Sequence, residues 1–177
     1  ARLRVWLRPD GWIPPLCASN NVYVKHVQKH LRRDAMEVNK PGKEGCTPLF
    51  IASKNELVPI VQTLLTRDEM DDKKPQEEGC TPLFIASNNG HVQIVQKLLT
   101  RDDIEVNKPE KEGCTPLFIA SNNEFVQIVQ ILLTRDEIDV NKPQEEGCTP
   151  LFIAANNEHV QIVQTPHTGL LNTSTSP

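Results

Sequence analysis

The sequence predicts an all-α solenoid in which short helix-turn-helix units stack side by side, joined by extended, hairpin-like fingers. Three observations predict it. Gly45-Cys46, Gly79-Cys80, Gly113-Cys114 and Gly147-Cys148 recur every 34 residues, each followed by the same Thr-Pro-Leu-Phe-Ile-Ala. The unit from Gly79 to Glu112 matches the unit from Gly113 to Glu146 at 27 of 34 positions, the mark of recent duplication. Within each unit a helix-start signal precedes an apolar run, and a second run follows with helical spacing.

In chain order, residues 1–10 form an N-terminal segment. Residues 11–44 are a divergent first unit: Gly11 stands 34 residues before Gly45, and Ala18-Ser19, Asn21, Val24, Val27-Gln28, Leu31 and Asp34 fall where their later counterparts do. Units two, three and four occupy 45–78, 79–112 and 113–146, the fifth unit, 147–164, is truncated, and 165–177 is a tail. The third unit shows the local logic. Thr81 suits an N-cap, and Pro82 at the first helical position loses no hydrogen bond there. Leu83, Phe84, Ile85 and Ala86 make that helix apolar nearly all round, as an element sandwiched between neighbours must be. After Asn88-Asn89-Gly90, the run from Val92 to Leu99 places Ile94, Val95, Leu98 and Leu99 on one stripe of a second, amphipathic helix. Thr100 to Glu112, with Asp102, Asp103, Asn107 and Pro109, reads as an extended, turn-rich connector in which Ile104 and Val106 alternate with polar residues.

Thr-Pro-Leu-Phe-Ile-Ala at this period, with Asn89-Gly90-His91 between the helices and Val38-Asn39, Val106-Asn107 and Val140-Asn141 in the fingers, resembles the ankyrin repeat, whose hallmark is T-P-L-H-x-A. The resemblance covers about Gly11 to Gln164. Tetratricopeptide repeats share the period but need longer helices and a Trp/Gly/Tyr pattern that this chain lacks. Three departures carry expectations. Phe50, Phe84, Phe118 and Phe152 replace the family's histidine, so apolar packing replaces any hydrogen bonding there. Arg67-Asp68, Arg101-Asp102 and Arg135-Asp136 follow the second helix where the family has glycine, so that helix runs longer or ends in an Asp-stabilised turn. Glu56, Glu124 and Glu158 replace the inter-helix glycine kept only as Gly90, leaving the preceding asparagine to take the left-handed conformation.

The ends differ from the middle. In the first unit His26, His30 and Pro15 replace Ile60, Leu64 and Leu49. The two histidines share a helix face, as zinc ligands can, but no further ligand lies at a matching spacing, and a polar cap is the plainer reading. Pro166 stands where Leu98 and Leu132 do and halts the last helix. The Ser/Thr/Pro-rich tail reads as disordered, and its Asn172-Thr173-Ser174 as part of that tail, not as a glycosylation acceptor.

Composition narrows the class. Charged residues are 24% of the 177, apolar ones 38% and aromatic ones 5%, with net charge -4, which excludes collagenous and wholly disordered chains. No apolar stretch approaches a membrane span, and the arginine-rich start has too short an apolar run for a secretion signal. The reading is a chain of the cytoplasm or nucleus that does not insert into membranes; its start at Ala1 points to processing or to a piece of a longer chain. The charge is unevenly placed: residues 1–44 hold nine Lys/Arg against four Asp/Glu, and residues 45–177 ten against nineteen. The acidic body disfavours nucleic acid and favours a neutral or basic partner.

No catalytic constellation stands in the sequence: no phosphate-cradling glycine loop, no Gly-x-Ser-x-Gly, no His-Glu-x-x-His and no Cys-x-x-Cys. The expectation is a non-enzyme without cofactor or metal. Packed units lie about 8–10 Å apart, beyond the roughly 7 Å between the alpha carbons of a disulfide, so Cys46, Cys80, Cys114 and Cys148 neither bridge nor share a metal. They are small residues copied by duplication or, if the helix start lowers their pKa, a row of reactive thiols. The resemblance implies a monomeric module that binds a protein through a concave groove and finger tips; the alternative is a structural segment of a larger scaffold. Carried onto this chain, contacts come from Lys43, Glu44, Glu77, Glu78, Lys111, Glu112, Glu145 and Glu146 on the fingers and from Lys54, Asn88, Asn122 and Asn156 at the ends of the first helices. These make a mixed-charge ridge poor in aromatic anchors. The resemblance also implies asparaginyl hydroxylation at Asn39, Asn107 and Asn141, each eight residues after a leucine; the plainer role of those side chains is to brace the finger.

Overall fold

Threonine followed by proline starts a helix four times in the computed structural model, which describes residues 45–67 and 78–165 together with Asn39 and Pro41. The N-terminal segment, the rest of the first unit with His26 and His30, most of the second finger and residues 166–177 lie outside the described residues. Among those described, eight helices and no strand are found: α1 (Pro48–Lys54), α2 (Val58–Leu65), α3 (Pro82–Asn88), α4 (Val92–Leu98), α5 (Pro116–Asn122), α6 (Val126–Leu132), α7 (Pro150–Asn156) and α8 (Val160–Val163).

The four first helices start alike. Thr47, Thr81, Thr115 and Thr149 have extended backbone, and each hydroxyl accepts the N–H of the phenylalanine three residues on at 3.1–3.2 Å. Proline follows at the first helical position, so the cap and the fixed φ set one starting point. Leu49, Leu83 and Leu117 are buried with Ala52, Ala86 and Ala120, while Ile60, Val61 and Leu64, Ile94, Val95 and Leu98, and Ile128, Val129 and Leu132 form the matching stripe of the second helices. First helices pack on first helices along the stack, second on second, and each pair within its unit. Phe50, Phe84 and Phe118 are buried, so the phenylalanine column does pack where a histidine was replaced. Ile104 and Val106 are buried too, anchoring the finger that follows α4.

Two loop expectations are corrected. The left-handed residue between the helices is the glutamate: Glu56, Glu124 and Glu158 have φ of 56°, 61° and 61°, while Asn55, Asn89, Asn123 and Asn157 lie between -106° and -93°. The asparagine is the C-cap, and the left-handed turn belongs one residue later. The next residue's N–H then reaches back to close the helix, as Leu57 to the Ala52 carbonyl and Phe125 to Ala120 do. Glutamate is strained there by about 1–2 kcal/mol relative to glycine. The second correction concerns α4 and α6, which end at Leu98 and Leu132 and do not run longer. Thr100 and Thr134 donate to the Lys97 and Ile131 carbonyls at 2.7 Å, and Arg135 donates to the Leu99 carbonyl of the preceding unit at 3.1 Å. Threonine and arginine therefore close these turns. The carboxylates, Asp103 and Glu137, hold the arginine in place at 3.2 and 2.8 Å.

Candidate protein-interaction surface

The finger tip is a tight hairpin built by one glycine. In the third finger the Gly113 N–H donates to the Glu110 carbonyl at 3.0 Å and the Glu110 N–H to the Cys114 carbonyl at 3.1 Å, with Gly113 at φ 83°. Lys111 and Glu112 are the two residues pushed to the apex, and both are exposed. The Glu110 carboxylate accepts from the Glu112 and Cys114 N–H groups at 2.9 and 3.1 Å, locking the turn from inside. Gln144 repeats this in the fourth finger, its side-chain oxygen accepting from the Glu146 N–H. These braces were not among the sequence-predicted residues. Their signal was a Glu or Gln three residues before each tip glycine.

Neighbouring tips are tied by backbone. Lys111 N–H donates to the Glu78 carbonyl at 3.0 Å, and Glu145 N–H to the Glu112 carbonyl at 3.1 Å. The glycines allow this approach: a Cβ on Gly113 would lie 2.8 Å from the Glu145 nitrogen. Glu78, Lys111, Glu112, Glu145 and Glu146 are thus fixed in a row with their side chains in solvent. The row is acidic, four carboxylates to one ammonium. Of the other tip residues, Lys43, Glu44 and Glu77 lie outside the described residues.

At the ends of the first helices a second ladder runs through the inter-helix asparagines. Asn89 Nδ2 donates to the Lys54 carbonyl at 3.1 Å, Asn123 to the Asn88 carbonyl at 3.1 Å, and Asn157 to the Asn122 side-chain oxygen at 3.2 Å. Asn88 and Asn122 also donate to Asn89 and Asn123 within the unit. Their amides are therefore committed to the stack, at about 1 kcal/mol per bond. Lys54 and Asn156 are exposed, and Asn156 donates to Asn157 at 3.2 Å. Histidine joins this ladder: His91 Nε2 lies 3.1 Å from the Lys54 carbonyl, and His159 Nδ1 2.8 Å from that of Ser121. A sequence-family model described as ankyrin repeats in three copies matches residues 16–110 and 102–165.

The chain belongs to the ankyrin-repeat family. No curated protein matches it. Ankyrin repeats are generally protein–protein interaction modules and generally non-catalytic. Among the described residues no helix is long and apolar enough to cross a membrane, and no group of three His, Cys, Asp or Glu side chains is placed to hold a metal ion. In this ankyrin array the finger asparagines differ from one another. Asn107 is half-buried, donating to the Glu137 carbonyl at 2.7 Å and accepting from the Asp139 N–H at 2.9 Å, so it braces one finger against the next. Asn141 is exposed, and Asn39 half-buried. Cys46, Cys80, Cys114 and Cys148 are free thiols. Burial first, then the charge and hydrogen bond of Glu110, push the Cys114 thiol up to about 12. The reactive-thiol expectation fails at that position, because carboxylates crowd the sulfur and disfavour a thiolate beside them.

Proposed function

We propose that this ankyrin array is a non-catalytic interaction module that binds another protein along its finger tips and the adjoining ends of its first helices. The observation that carries the reading is the backbone tie between tips, Lys111 to Glu78 and Glu145 to Glu112, which fixes five charged side chains in a row facing solvent. A rigid row loses little conformational freedom on binding, which favours recognition by a surface otherwise poor in aromatic anchors. Four carboxylates to one lysine suit a neutral or basic partner and oppose nucleic acid. Such a partner is to be sought in the cytoplasm or nucleus.

The test is affinity capture from the source cell with the unaltered chain and with a triple variant, Glu77→Lys, Lys111→Glu and Glu145→Lys. We expect the variant to recover its main partner about tenfold less well, with capture by the unaltered chain weakening as salt rises. Equal recovery of the same partner by both chains would place the contact surface elsewhere.

A further inference from the structure

The downstream end of the stack is unlike its internal junctions. Leu49, Leu83 and Leu117 are at most 3% exposed and Phe50, Phe84 and Phe118 at most 7%, but Leu151 and Phe152 are 37% and 56% exposed. Val163 is 43% exposed where Val95 and Val129 are 0% and 1%, and Val160 beside it is 57% exposed. These four side chains share the face of α7 and α8 that earlier units turn to their successors.

The sequence holds something to cover it. Units two to four end their second helix in a leucine pair, Leu64-Leu65, Leu98-Leu99 and Leu132-Leu133. In the fifth unit Pro166-His167 stands there, and the pair comes four residues later as Leu170-Leu171, just after Gly169. α8 ends at Val163, and Pro166 can neither donate to nor fit within a continuing helix, so the chain must leave the helix axis at the edge of the bare face. From Thr165 to Leu170 the chain can reach about 17 Å, enough to cross a helix about 10 Å wide. Leu170 and Leu171 are the only aliphatic residues of 165–177.

We propose that residues 166–177 turn back over this face and set Leu170 and Leu171 against Phe152 and Val163, closing the stack with the displaced leucine pair. Area argues for the tail over a second copy of the chain. The four side chains expose roughly 300 Å², well below the roughly 800 Å² per partner of a stable interface. Polarity argues the same way. At the ties described above, donors of the downstream unit, Lys111 N–H, Glu145 N–H and the Asn123 amide, meet carbonyls of the upstream one. Two like ends would set carbonyl against carbonyl.

The experiment uses the full chain. Leu170→Ser with Leu171→Ser should lower Tm by about 4 °C, and adding Phe152→Ser should lower it less than the sum of the separate effects, because one contact is being removed twice. In the unaltered chain, nuclear Overhauser contacts should join the Phe152 ring to the Leu170 or Leu171 methyl groups. A leucine variant with unchanged Tm, or no such contacts in the unaltered chain, overturns the proposal. So does sedimentation as a dimer that Phe152→Ser separates, which would make a second copy the cover.

Discussion

Cys114 shows how far one residue's chemistry departs from its place in a motif. It precedes a helix start, where a dipole stabilises a thiolate, yet burial and the Glu110 carboxylate at its side hold the proton on. α5 is only seven residues long, and its dipole is outweighed by a full charge in contact. With the folded pKa raised from 9.0 to about 12, the stabilisation is complete below pH 9 and is lost as pH rises toward 12, because the unfolded thiol ionises first. Alkylation of Cys114 near pH 7.5, followed by mass spectrometry, should be slower than that of a free cysteine by on the order of 10³. A rate equal to the free thiol would mean that Glu110 does not face the sulfur. Glu137 moves in the opposite direction: its own backbone N–H and then Arg135 hold its carboxyl below the ordinary value.

At the scale of the element, the finger tip depends on a glycine for two separable reasons. Gly113 and Gly147 both stand at positive φ, 83° and 86°, but a Cβ on Gly113 meets the next finger at 2.8 Å whereas one on Gly147 meets nothing within 4 Å. Gly147→Ala should therefore cost about 1 kcal/mol, the conformational part alone. Gly113→Ala should cost about 2–3 kcal/mol, since it also displaces the Glu145 N–H from the Glu112 carbonyl. Urea unfolding of the two variants checks this. Equal losses would show that the tips are not held against one another.

Across the whole molecule, stability is a sum over thin layers, each filled by Leu, Ile, Val, Ala and one Phe. That is why 5% aromatic content suffices for a chain of this length. Layers with two neighbours are the best buried: Ile94, Val95, Leu98, Ile128 and Leu132 are all at most 1% exposed, while the fifth unit keeps only Ala154 and Ile162 in the core. Local opening should follow this gradient. Amide hydrogen exchange in α7 and α8 should run at least about tenfold faster than in α3 to α6, read by mass spectrometry of peptides from each unit. Uniform exchange would indicate a single cooperative block.

Much of this was legible in the sequence because it is local. The threonine cap acts over three residues, Pro82 acts on its own φ, and the second-helix stripe repeats within one or two turns, so the units and their helices followed from the residues themselves. The left-handed glutamates, the asparagine ladder, the bracing Asn107 and the thiol of Cys114 were misread or left open. Asn89 reaches Lys54 over 35 residues and Asn107 reaches Glu137 over 30, and which side chain serves the turn depends on what the next unit presents. The sequence by itself determined that this chain repeats, where each helix begins and that the product is a stack. Only the tertiary structure decided which polar groups tie the layers and which are left facing solvent, because hydrogen bonds between units depend on the stacking distance and not on any spacing along the chain.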